Sequence, residues 1–199
     1  MSDDSFNRRS RNMTLMKSGV VALGVLGIAF IILLATRATQ TNGPNFDIVG
    51  QPSPPIHGEA VNGESFKLED LLLENRSLPA SDQIWVAVNF FASWCSGCIV
   101  EHGELLKFHE EGVSLQDGTK CKTRLIGVAF NDRLDDIRNF FERYGGDWLV
   151  LADEGTNRIA IDFSVLTAPE TVLIAPNGLV VKKIVGPVSY DDLTTGVTC

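Results

Sequence analysis

Apolar residues fall into two kinds of run along this 199-residue chain. The first is unbroken: residues 18–36 (SGVVALGVLGIAFIILLAT) carry no charge. A core helix is apolar on one side only, whereas this run is apolar all round. It predicts a bilayer span, about 28 Å long as a helix against roughly 30 Å of hydrocarbon. The later runs are short and separated by polar turns. Residues 84–92 (IWVAVNFFA) and 124–130 (RLIGVAF) read as strands buried on both faces. Residues 95–111 read as a helix, and so do residues 134–144, where Leu134, Ile137, Phe140, Phe141 and Tyr144 share a face before Gly145-Gly146. A short strand at 148–151, a short helix at 157–163 and strands at 171–175 and 179–185 follow. The Pro176-Asn177-Gly178 turn between the last two is a hairpin signal. Residues 66–73 form a short element of ambiguous type. Strands alternating with helices, then a hairpin, predict a mixed α/β sheet with helices on both faces.

Charge orients the apolar span. Arg8, Arg9, Arg11 and Lys17 precede it and only Arg37 follows closely, which puts residues 1–17 in the cytoplasm and the rest outside. A cleaved signal peptide competes with an anchor at 18–36. Its apolar part would be shorter, and Ala-Thr-Arg-Ala is a poor cleavage site. Both readings deliver the remainder to the same compartment. Residues 37–55, rich in Thr, Asn, Gly and Pro, read as a linker to a domain at 56–199. The formal charge is -8, and beyond residue 40 there are 12 basic and 23 acidic residues. That balance excludes a nucleic-acid partner and favours basic ones through steering.

The chemistry lies where the first buried strand turns into a helix, at Trp94-Cys95-Ser96-Gly97-Cys98. There the free N–H groups and dipole of the helix start favour an anion on Cys95. The thiolate is the nucleophile of disulfide exchange, and Cys98, one turn on, can resolve a mixed disulfide. A structural zinc site would need two more ligands than this pair offers. His102 with the two thiols is a set that suits copper; otherwise His102 reads as a solvated helix-surface histidine. A purely structural bridge across so short a loop adds little. Cys121 and Cys199 either pair with each other in an oxidising compartment or stand as bystanders.

Residues 89–102 (NFFASWCSGCIVEH), 162–171 (DFSVLTAPET) and the hairpin at 172–186 resemble the membrane-anchored thioredoxin-like proteins of the TlpA/ResA group. Within that group the likeness is to the cytochrome c biogenesis reductases of CcmG/DsbE type. The resemblance implies a thioredoxin-like fold behind a single transmembrane helix. It implies a cis Pro169 lying against the active-site disulfide, with backbone groups of Ala168 offered to a partner's extended chain. It also implies two acidic residues flanking the centre, Glu101 and Glu170. Glu101 shares a helix face with Cys98 and would accept the proton of the resolving thiol. Trp94 is expected to shield Cys95, with plain core packing as the alternative.

The implied activity is extracytoplasmic thiol:disulfide exchange that keeps the haem-attachment cysteines of apocytochrome c reduced, directly or through an assembly factor. Electrons would come from a membrane thiol reductant. No cofactor or metal is expected beyond the redox-active Cys95–Cys98 pair. The implied location is a bacterial inner membrane, with the C-terminal domain on the periplasmic side. Two features depart from the pattern: Ser96-Gly97 lacks a proline, and residues 189–199 are short for a closing helix and contain Gly196. An irregular or truncated end is therefore expected. A general disulfide reductase or oxidase and a copper chaperone stand as alternatives. Peroxide reduction is a weaker one, because Ser93 lacks the upstream proline such a motif needs.

Overall fold

The computed structural model describes residue 28, residues 48–153 and residues 155–199. The expected cytoplasmic tip, the anchor at 18–36 and the linker up to residue 47 lie outside these, residue 28 apart. Among the described residues no helix is long and apolar enough to cross a membrane. The chain divides into Met1–Asn45 and Phe46–Cys199, and the elements that follow all lie in the second unit.

The domain opens with a small hairpin, β1 (His57–Glu59) and β2 (Ser65–Lys67), and a helix, α1 (Leu68–Asn75). The ambiguous 66–73 segment is thus the end of a strand running straight into a helix. Then come β3 (Ile84–Phe91), α2 (Ser96–Glu111), β4 (Val113–Ser114), β5 (Lys120–Ala129) and α3 (Leu134–Tyr144). The chain finishes with β6 (Leu149–Ala152), α4 (Arg158–Asp162), β7 (Glu170–Ile174), β8 (Val180–Val185) and α5 (Tyr190–Thr194). The main sheet runs β4-β5-β3-β7-β8, with β6 beside β5. β3 pairs parallel with β5 and antiparallel with β7, and β7 closes antiparallel on β8. This is the expected mixed sheet.

β3 shows why its sequence is apolar throughout. Trp85, Ala87 and Phe91 point into one core, with Leu105, Phe108, Ile137 and Phe140 of α2 and α3. Val86, Val88 and Phe90 point into a second core on the opposite face, with Ile56, Phe66, Leu68 and Phe163. Period-two alternation with both faces covered leaves no solvent side to be polar. Asn89 is the one polar residue among them, buried on the α2 side.

One boundary differs from expectation. Residues 48–55, read as linker, belong to the domain. Ile48 is buried, and Gly50 N–H and Ser53 N–H donate to Val180 O (2.7 Å) and Gly178 O (2.8 Å). Their Gly/Pro/Ser composition reflects an edge pairing with the β7–β8 turn rather than solvation. The closing helix is short, as expected, with irregular chain after it, and both are tied to the domain. Ser189 caps α5 and exchanges a reciprocal pair of bonds with Asp192, Trp85 Nε1–H donates to Thr198 O at 2.8 Å, and Cys199 is disulfide-bonded to Cys121.

Candidate active site

Cys95 and Cys98 form a disulfide, their Cα atoms 5.3 Å apart. Cys95 is the N-cap of α2, in extended backbone, and its Sγ accepts the Cys98 N–H at 3.2 Å. That donor and the helix start are what a thiolate at Cys95 would face once the bridge is reduced. The preceding turn is braced from α3's side. Asp132 accepts Ser93 N–H at 2.5 Å and Ser93 Oγ–H at 2.9 Å, and Trp94 Nε1–H donates to Asn131 O at 3.1 Å. Trp94 is 66% exposed, so the core-packing reading is wrong. Its indole is held at the surface by that hydrogen bond to Asn131 O.

Pro169 follows a cis peptide bond from Ala168. It lies against the turn between the cysteines: a Cβ built on Gly97 would meet Pro169 Cδ at 3.0 Å and Pro187 Cγ at 3.4 Å. The Ser96-Gly97 pair therefore fits beneath two prolines because residue 97 has no side chain.

Glu101 is 1% exposed. Asn89 Nδ2 donates to its Oε1 at 2.7 Å and Val188 N–H to its Oε2 at 2.9 Å, while Asn89 also donates to Thr171 Oγ1 at 3.0 Å. Burial raises the carboxyl from 4.5 to about 7, and the Val188 and Asn89 hydrogen bonds pull only partly the other way. Asn89 and Cys98 share the walls of a gap too tight for a water molecule. A group able to hold or release a proton near neutrality thus stands one turn along α2 from the resolving cysteine. Glu101 is therefore a core acid and not a solvated surface residue.

His102 is corrected in the same way. It is 4% exposed, ringed by Phe140, Trp148 and Phe141 at 4.9, 5.2 and 5.7 Å between centroids. Its Nε2 lies 2.9 Å from Gly145 O, an acceptor, so that nitrogen carries the hydrogen. Burial lowers its pKa, against the pull of that carbonyl. His102 is thus a packed core histidine rather than a solvated one on the helix surface. Among the described residues no three His, Cys, Asp or Glu side chains gather to hold a metal.

Glu170, at the head of β7, is also 1% exposed. Its Oε1 accepts Leu166 N–H at 2.8 Å and Thr167 N–H at 3.0 Å. Lys183 Nζ stands 3.0 Å from Oε2. Asn89, Asp132 and Lys183 were not singled out in the sequence. A lone amide in an apolar strand was a usable signal for Asn89; nothing local marked the other two.

The sequence pattern of the AhpC/TSA family matches residues 49–183. The thiol:disulfide interchange protein HelX of Rhodobacter capsulatus is 26% identical over 182 residues, spanning 90% of this chain and 93% of HelX. The thiol:disulfide interchange protein DsbE of Allochromatium vinosum is 32% identical over 160 residues, 79% of this chain and 81% of that one. A solved thioredoxin-family thiol:disulfide interchange protein from Chlorobium tepidum superposes with a TM-score of 0.53 at 24% identity. It covers 73% of this chain and 92% of its own. A cysteine pair capping a helix beneath a proline, on a mixed sheet that shares this fold, agrees with those likenesses: the chain belongs to the AhpC/TSA family of thioredoxin-like proteins, among relatives that are thiol:disulfide interchange proteins.

Proposed function

We propose that this chain is a thiol:disulfide reductase, anchored in a bacterial inner membrane by residues 18–36. In this reading it keeps the haem-attachment cysteines of apocytochrome c, or of a factor that handles them, reduced on the periplasmic side. The observation that carries the exchange chemistry is Cys95 capping α2 with its sulfur on the Cys98 N–H. The names of HelX and DsbE support it, and the resemblance of residues 89–102 and 162–171 supports the cytochrome c assignment. A second disulfide, Cys121–Cys199, supports an oxidising compartment.

In the reduced protein the Cys95 thiolate attacks one sulfur of a client disulfide. A mixed disulfide forms and one client thiolate leaves. Cys98 then gives its proton to a carboxylate, the role Glu101 takes in this reading, and its sulfur attacks Cys95. The second client sulfur departs as a thiolate, and Cys95–Cys98 is left as the disulfide seen here. Two electrons have passed to the client, and a membrane dithiol returns them by the same exchange in reverse.

Trapping tests the assignment. Cys98→Ser removes the resolving sulfur, so the mixed disulfide at Cys95 persists. Apocytochrome c or a thiol protein that handles it is expected among the captured chains, and its absence there defeats the cytochrome c reading. The direction of flow is read from the Cys95–Cys98 potential. A value near about -120 mV belongs to a strong oxidant and defeats the reductase reading.

A further inference from the structure

The segment from the end of α4 to Pro169 is held by two side chains of opposite charge. Its amides go to Glu170, through Leu166 N–H and Thr167 N–H. Its carbonyls go to Lys183, whose Nζ donates to Phe163 O at 3.1 Å and Ser164 O at 2.6 Å. The two charges meet at 3.0 Å, with side chains only 12% and 2% exposed. Glu170 Oε2 has no hydrogen bond of good angle, so the lysine meets it as a charge. Lys183 sits opposite Val172 in the β7–β8 ladder, two residues along from Glu170, which brings both side chains to one face.

We propose that Lys183 is a positioning residue for the exchange reaction. Through Glu170 it fixes the 163–168 loop, and so holds Pro169 on Gly97 between the two cysteines. This rests on the exchange chemistry proposed above and reassigns Glu170. Both oxygens of that carboxylate are committed, to two amides and to a cation, whereas Glu101 meets only neutral donors. Glu101 is the group placed to move a proton, and Glu170 is the group that shapes the loop. A buried carboxylate that loses its cation is left uncompensated, so the loop and the acid respond together.

The test is a set of charge-balanced variants, read by two independent measurements. Amide hydrogen exchange at Leu166 and Thr167 reports the loop directly. Reduction of a protein disulfide such as insulin reports the chemistry. Lys183→Met is expected to speed exchange of both amides at least tenfold and slow insulin reduction by about tenfold to a hundredfold, as small misplacements at a reacting centre do. Lys183→Arg keeps the charge and should stay near the wild type. Glu170→Gln with Lys183→Met should recover part of the loss, because a neutral amide needs no counter-ion while the Phe163 and Ser164 carbonyls stay without their donor. The proposal is overturned if Lys183→Met matches the wild type in both measurements, or if the double variant is no better than Lys183→Met alone. Should Lys183→Met fail to fold, Glu170→Ala, which removes the acceptor, carries the test: amides at 166 and 167 that stay fully protected overturn it. A wild-type protein that reduces no protein disulfide would instead defeat the exchange reading, and the amide measurement keeps the two failures apart.

Discussion

The two disulfides of this domain are the same covalent unit in different company. Cys95–Cys98 closes a three-residue separation at the start of α2, beside a proline, an exposed tryptophan and a buried acid. Cys121–Cys199 closes a separation of 78 residues and joins the edge of β5 to the chain end. Cys121 instead belongs to the core that holds Trp85, Phe108 and Val113. By loop entropy the first bridge stabilises the fold by about 2 kcal/mol and the second by about 4. The difference teaches that a sulfur pair reacts through its neighbours and stabilises through its loop.

Exchanging the damage between the two sites breaks the comparison most sharply. Cys95→Ser should bring insulin reduction down to the uncatalysed background, since no other sulfur occupies the helix cap. Cys121→Ser with Cys199→Ser should leave that reduction within a few-fold of the wild type while lowering stability by about 4 kcal/mol in a urea titration. Loss of exchange in the second variant, with its fold intact, would mean that the chain end governs the reactive pair after all.

Both sites differ in how far the sequence announced them. The reactive pair is local: five consecutive residues, a strand before them and a helix after, were enough to place Cys95 at a helix start. The sheet was legible for the same reason, because runs such as 84–92 are apolar on both faces and end at turn residues. The Cys121–Cys199 pairing was not, because it joins residues 78 apart. Nor was Lys183, whose role depends on the register of β7 on β8 and on the fold of the 163–168 loop. His102 is the instructive miss. It lies on one stripe with Cys98, Leu105 and Phe108, all buried, so its helical spacing already assigned it to the core face. Its polarity argued otherwise, and packing won.

The buried acid beside Cys98 sharpens the contrast next. Glu101 has its carboxyl raised from 4.5 to about 7 by burial, so the folded state holds its proton more tightly than the unfolded chain. Its contribution to stability is fully present below about pH 4.5 and lost as pH rises through 7, roughly 3 kcal/mol in all. Glu101→Gln should flatten this stretch of the stability curve. It should also slow the resolving step at least tenfold and remove the pH dependence of that step near neutrality. An unchanged curve from pH 4.5 to 7 would show that the carboxyl is solvated in solution and that the two disulfides do not differ in titratable company.

The smallest expected effect compares one glycine at each bridge. Gly97 lies in α2 with an ordinary helical backbone, and an added Cβ would come within 3.0 Å of Pro169 Cδ and 3.4 Å of Pro187 Cγ. Gly97→Ala gains a little helix propensity and loses a little to crowding, so stability should change by less than about 1 kcal/mol. Pro169 must give way by a few tenths of an ångström, and insulin reduction should fall a few-fold. Gly112 is the converse. An added Cβ there would meet Cys121 O at an ordinary 3.7 Å, but the backbone holds φ at +65°. Gly112→Ala should therefore cost about 1–3 kcal/mol of stability and leave insulin reduction unchanged. If Gly97→Ala instead leaves insulin reduction unchanged, as Gly112→Ala should, Pro169 does not rest on Gly97 tightly enough to matter. The reactive disulfide would then owe its behaviour to the helix start and Glu101 alone.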